Sequence, residues 1–175
     1  MMIIKKTREL TLSALLAAAA ILLGYVESLI PIVPPIAGIK LGLGNIAVLL
    51  AMRIFKSSGV SVGIMLSKTI VCAVLFAGVG GLPYSLAGGI ASVAVMLPLC
   101  RCKRISAAGV SAAGGAAHIA AQTVVAVLMT STASVISLLP MLMAVGTVTG
   151  FINGIIVNLL ERRLSRYFLN PCKSE

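Results

Sequence analysis

Five polar side chains interrupt the apolar runs of this chain: Glu27, Lys40, Lys68, His118 and Gln122. Such groups are costly in hydrocarbon, so they mark ion pairs, pockets or ligand contacts. Lys68 lies midway along one run, where a lysine costs about 3 kcal/mol on insertion scales. It needs the Glu27 carboxylate or an anionic ligand as partner, unless its stem carries the charge to the membrane surface. Lys40 sits in Gly38-Ile-Lys-Leu-Gly-Leu-Gly-Asn45, where glycines expose backbone N–H groups ahead of a helix start. That combination holds anions, although such segments also simply turn a chain. His118 and Gln122 are four residues apart and share a helical face. The run Gly114-Gly-Ala-Ala-His118 predicts space cleared around the imidazole, whose role is either ligand contact or a hydrogen bond to a neighbouring helix. Tyr84 and Ser85 open a further apolar run, and Asn153 lies in the last one.

The residues that are missing exclude several chemistries. Asp does not occur, and Glu occurs four times. The chain therefore has no aspartate-rich magnesium motif of the kind phosphoryl- and prenyl-transfer enzymes use. It has no P-loop, and its single histidine leaves little room for a catalytic triad. One histidine and the Cys100-Arg-Cys102 pair offer too few ligands for a four-coordinate zinc. Cys72, inside an apolar run, reads as a packing residue, and Cys172 as incidental. We expect no metal, no cofactor and no catalysis by this chain alone. The net charge of +10 raises nucleic acid as a partner. Aromatics at 4% leave no platform for stacking bases, and the basic residues sit at the ends of apolar runs. Lipid headgroups account for them there, and no nucleic-acid partner is expected.

Hydrophobic residues make up 59% of the 175 positions and charged ones 10%. Soluble domains carry about a quarter charged residues, so the bilayer is the expected solvent. The runs are continuously apolar rather than alternating, which points to helices and not a barrel. At roughly 20 residues per span, the sequence predicts one all-α integral membrane domain over 1–175, a compact bundle of six transmembrane helices. The expected spans are 10–30, 43–55, 60–79, 84–100, 107–129 and 138–160. Prolines at 31, 34 and 35 end the first, and Gly78, Gly80, Gly81 and Pro83 turn the chain after the third. The second is too short to cross comfortably, so its glycine-rich approach should dip into the protein as a cavity wall. The first reads as a retained helix, being longer than a leader's apolar core. Basic clusters fall at Lys5, Lys6 and Arg8, at Arg53 and Lys56, at Arg101, Lys103 and Arg104, and at Arg162, Arg163 and Arg166. In a six-span arrangement all four lie on one side, which places both termini in the cytoplasm.

Small residues recur every four positions in three spans: Ala14 and Ala18; Ala113, Ala117 and Ala121; Gly146, Gly150 and Gly154. Such stripes let helix backbones approach closely. They fit either packing within the bundle or docking of another membrane protein, and the smooth Ala14–Ala18 face is the foremost docking candidate.

Several segments jointly resemble a known family. They are Gly38 to Asn45, Tyr84-Ser-Leu-Ala-Gly-Gly89, Gly114-Gly-Ala-Ala-His-Ile-Ala-Ala-Gln122, and Leu139-Pro140 followed by Gly146 to Gly154. In order and over nearly the whole chain they resemble the bacterial Gx transporter family, also labelled heptaprenyl diphosphate synthase component I. That family is similar to the substrate-binding S components of energy-coupling factor transporters. The resemblance implies a multi-pass protein of the bacterial cytoplasmic membrane that captures a small, anionic ligand near the outer face. Lys40, Asn45, Lys68, Tyr84, Ser85, His118 and Gln122 would line its site. Ala14 and Ala18 would dock to a transmembrane coupling subunit driven by ATPases. The alternative implied is a non-catalytic accessory subunit in prenyl diphosphate or quinone metabolism, or in flavin-linked extracytoplasmic electron transfer.

Overall fold

The computed structural model describes residues 2–29, 42–55, 58–102 and 104–168. Lys40, the prolines of 31–35, Lys56, Lys103 and Cys172 lie outside the described residues. Six α-helices follow one another: α1 (Met2–Leu29), α2 (Asn45–Phe55), α3 (Ser58–Cys72), α4 (Leu82–Arg101), α5 (Ala107–Thr130) and α6 (Leu139–Phe168). Five segments are long and apolar enough to cross a membrane: one each in α1, α4 and α5, one running from Ser134 into α6, and one that joins α3 to the turn after it, Ser58–Phe76; α2 is shorter. Helix α2 has 11 residues, so it covers roughly 17 Å of a hydrocarbon core about 30 Å thick.

The helices overrun the apolar runs at both ends of the chain. Helix α1 starts at Met2 rather than near residue 10, and α6 continues to Phe168 rather than ending near 160. Lys, Arg and Glu are good helix formers, so the fold outlasts the hydrophobic signal. Helix α3 ends as an α-helix at Cys72 and widens into a π-helical turn, Ala73–Ala77. Gly78, at φ 71°, then stops it. Ser106 starts α5 by accepting the Gly109 N–H at 3.2 Å.

Contacts between glycines and their neighbours fix the helix directions. Gly24 of α1 lies against Cys72 of α3, and further on Tyr25 meets Phe76 with ring centroids 4.9 Å apart, so α1 and α3 run parallel. Gly88 faces His118 and Gln122 while Gly114 faces Met96 and Ser92, so α4 and α5 are antiparallel. Gly115 touches Gly146, Ser111 touches Gly150 and Ala108 touches Gly154, so α5 and α6 are antiparallel too. Asn153 meets Gly42, just before α2, and Glu161 bridges Arg53 at 3.0 Å, so α2 and α6 are parallel. That bridge also brings two of the basic clusters to the same end of the bundle.

Helix α2 is the centre. Asn45 through Met52 are all buried, and Val48, Leu49 and Ala51 have no exposed surface. A helix that is apolar all round belongs inside a bundle, and α2 does. Around it, α5 and α6 are knit by backbone contact, and α4 packs on α5 through side chains seated on Gly88 and Gly114. A Cβ added at Gly150 or Gly154 would collide with the α5 backbone at Ser111 or Ala108. The glycine stripe of α6 thus serves internal packing. Its partner face on α5 is Ala108, Ser111, Ala112, Gly115 and Ile119, not the Ala113, Ala117 and Ala121 stripe singled out by spacing. Ala14 and Ala18 behave differently: both are exposed, beside Leu15 and Leu22 at 64% each.

Gly150→Ala should therefore lower the melting temperature of the protein in detergent. The added methyl meets backbone that cannot yield without parting α5 from α6, a cost of about 1–3 kcal/mol. Gly63→Ala is the matched control, because no atom lies within 4 Å of its added Cβ. It should be neutral or stabilising by up to about 1 kcal/mol.

Candidate functional site

The short α2 forces backbone without helical hydrogen bonding to lie at membrane depth. Such backbone must find partners inside the protein. Gly42 meets that demand. At φ 78° it adopts a conformation that favours glycine, and its carbonyl accepts the Asn45 N–H at 2.9 Å to start α2. Its own N–H donates to a carboxylate oxygen of Glu27, reaching from α1. Its carbonyl also accepts Asn153 Nδ2 of α6 at 3.4 Å. Glu27 and Asn153 are both buried, so α1 and α6 hold the lead-in to α2 from opposite sides.

A polar cavity opens on the Glu27 side of this peptide. Its polar lining comes from Glu27, Lys68 and Thr69, Ser85 of α4, and His118 and Gln122 of α5. The space open to the centre of a water molecule is about 20 Å³, enough for one or two waters. Gly44 makes room for the lysine: a Cβ there would lie 2.5 Å from Lys68 Cε and 2.8 Å from Nζ. Gly88 makes room for the imidazole, since a Cβ there would lie 2.8 Å from His118 Cε1 and 2.9 Å from Gln122 Cγ. Spacing had assigned that clearance to Gly114 and Gly115, but those glycines face Met96 and α6 instead. The Ser85 hydroxyl oxygen is buried and has no hydrogen-bond partner among the described residues. Cys72 is buried in the same wall, its thiol donating to the Ile21 carbonyl at 3.7 Å.

Of the site residues expected from sequence, Lys68, Ser85, His118 and Gln122 meet around this one cavity. Asn45 lines a second cavity on the other side of Gly42, together with Ser92, Ser111 and Asn153. Tyr84 is buried and lines neither of the two. Lys40 lies outside the described residues. Glu27 and Thr69 are cavity residues that sequence reasoning did not place in the site. For Glu27 the signal was present, as a carboxylate near the end of an apolar run, but it served only as a possible partner for Lys68.

The cavity carries one basic and one acidic side chain in a space of a water or two, so removing either leaves the other costly to keep charged. Lys68→Met should lower the melting temperature by an amount equivalent to about 3–5 kcal/mol. Adding Glu27→Gln in the same chain should restore most of the loss, because the amide oxygen still accepts the Gly42 N–H. A double variant no more stable than Lys68→Met would show that the two charges do not balance each other.

A family model described as Heptaprenyl diphosphate synthase component I matches residues 16–160. That stretch includes α2 to α5 whole, α1 from residue 16, α6 up to residue 160, and every residue of the two cavities. No curated protein matches the chain, and no solved structure does.

Proposed function

We propose, from the premise that this chain belongs to the heptaprenyl diphosphate synthase component I family, that it is a membrane-embedded binding subunit rather than a synthase. Its role would be that of the S component of an energy-coupling factor transporter: to capture a small anionic ligand near the outer face of a bacterial cytoplasmic membrane. The observation that carries this reading is the polar cavity among apolar helices, with Lys68, His118, Gln122 and the Ser85 hydroxyl turned to one space. Burying that many polar groups in a bilayer protein is costly unless they serve binding or proton and ion handling. Lys68 is the group for the anion. Glu27, holding Gly42, ties the same space to the start of α2. A ligand larger than two waters needs the α1 side of the cavity to open, and α1 buries least of the five long apolar spans, at 11% of its window.

Two further features support a binding subunit. Ala14 and Ala18 are exposed on α1, as a docking face requires. The sequence has no Asp, so the chain lacks the aspartate cluster that would hold magnesium for diphosphate chemistry. The orientation proposed is cytoplasmic for the end that carries Arg53, Arg101, Arg104, Arg162 and Arg163. The family's own description favours a second reading, a non-catalytic accessory subunit of prenyl diphosphate metabolism, in which a partner enzyme and not a ligand occupies the protein.

Mass spectrometry of small molecules retained after gentle purification separates the two. Binding-subunit function predicts a stoichiometric small acid that is lost in the double variant Lys68→Met with Glu27→Gln, whose stability stays near the parent's; recovery of lipid and a prenyl-transferring enzyme alone would support the accessory reading. Docking gives an independent measurement. Ala14→Leu with Ala18→Leu should abolish copurification of a coupling subunit while leaving the melting temperature within about 1 kcal/mol of the parent, as expected for exposed positions. Thiol labelling of cysteines introduced at Gly80 and Ser131 should report the outside, and labelling of either from the cytoplasm would reverse the orientation.

A further inference from the structure

The first cavity holds its charges in balance before any ligand arrives. Glu27 of α1 brings a carboxylate and Lys68 of α3 an ammonium, and both line the same small space. An anion drawn in by Lys68 makes two negative charges for one positive, in a bundle where little water screens them. Such an imbalance is expensive at membrane depth. His118 of α5 is placed to cancel it. It is 5% exposed and lines the same cavity with Gln122 and Ser85. Gly88 of α4 gives the imidazole its room, since a Cβ there would lie 2.9 Å from Nδ1. An imidazole is the side chain that gains a positive charge most readily near neutral pH.

The elements around the imidazole bring few other titratable groups. Among the described residues lining the cavity, α1 contributes Glu27, α3 contributes Lys68 and Cys72, and α4 only the uncharged Ser85 and Gly89. The Cys72 thiol donates to the Ile21 carbonyl, and Tyr84 of α4 is buried off the cavity. Arg53 of α2 is paired with Glu161 at the other end of the bundle. Helix α6, packed on α5, has no ionisable residue before Glu161. We propose that the first cavity takes up its anion together with one proton, and that His118 carries the proton. In the empty site the imidazole is neutral and Glu27 balances Lys68. In the occupied site the anion and Glu27 face Lys68 and the imidazolium, two charges of each sign. The proton passes from water to an imidazole nitrogen, and no other bond forms or breaks. Because the occupied site holds one more proton than the empty one, affinity rises as pH falls, by up to about tenfold per pH unit. This inference rests on the binding-subunit reading.

Formate is the probe, the smallest carboxylate, matched to a space of one or two waters and ionised above about pH 5. Thermal unfolding of the full chain in detergent is followed against sodium formate at about pH 5.5, 7 and 8.5. Sodium gluconate, too large for the space, holds the ionic strength. The formate Kd should rise at least about tenfold from the lowest pH to the highest. The chain has one histidine, so nitrogen NMR of the labelled imidazole reports His118 directly. Its protonated fraction should be higher in formate than in gluconate at one or more of these pH values. His118→Gln should bind formate weakly and equally at all three; if that variant does not fold, the NMR comparison on the parent chain decides. A formate-dependent rise in Tm with no pH dependence and no change at the imidazole overturns the inference and leaves the binding-subunit reading standing. A pH dependence that survives in His118→Gln puts the proton on another group and overturns it as well. No rise in Tm with formate at any pH overturns the inference and the binding reading together.

Discussion

A peptide at membrane depth has no water to satisfy it, and the Gly42 peptide is where this protein meets that constraint. Helix α2 is too short to span the bilayer, so its lead-in needs partners that α2 itself cannot supply. Those partners come from far along the chain: Glu27 from α1 on the N–H side and Asn153 from α6 on the carbonyl side. The same two bonds place a carboxylate and an amide at the heart of an apolar bundle. Each then faces a cavity. The polar interior is thus a consequence of a short central helix, and the cavities lie beside the backbone that Glu27 and Asn153 satisfy.

The rest of the bundle divides by how closely its backbones approach. Between α5 and α6 the contact is glycine on backbone, and between α4 and α5 it is glycine on side chains, at Gly88 and Gly114; several of those positions would not accept a methyl group. Helix α1 is held in another way: Ala20, Leu16, Ala17 and Leu23 join the apolar core, Glu27 bonds Gly42, the Cys72 thiol bonds the Ile21 carbonyl, and Tyr25 meets Phe76. Side chains in lipid gain nothing from burial as such, so close packing and hydrogen bonds decide which helices are fixed. By that measure α4–α6 form the frame on which His118 and Gln122 are set. Helix α1 is the wall that carries Glu27, and its alanine face stays uncovered.

The number of helices and the shortness of the second were legible in the sequence because both depend on the lengths of apolar runs. The outer limits of α1 and α6 were not, since basic residues continue a helix without continuing its hydrophobicity. The convergence of Lys68, Ser85, His118 and Gln122 is a tertiary fact that spacing cannot show. His118 illustrates why. Its neighbours Gly114 and Gly115 suggested room around the imidazole, yet the room comes from Gly88 on another helix. Likewise the alanines at 113, 117 and 121 have the spacing of a packing stripe, but the α6 glycines meet a different face, through Ala108, Ala112 and Gly115. Spacing identifies stripes; which one is used depends on the rotation of the helix, and the neighbours set that.

Glu27 ties these points together. A carboxylate near the end of the first span is unremarkable in sequence, and its role is fixed by two things remote from it. One is the positive φ of Gly42, which turns an N–H toward α1. The other is Gly44, which leaves space for the Lys68 ammonium where any side chain would collide with it. A buried carboxylate is tolerable when it is hydrogen-bonded and has a cation in reach, and the two glycines supply one condition each. The glycines before α2 therefore do more than turn the chain. They set an acid, a base and a helix start around one small space, which is the arrangement a membrane protein needs before it can discriminate among charged ligands.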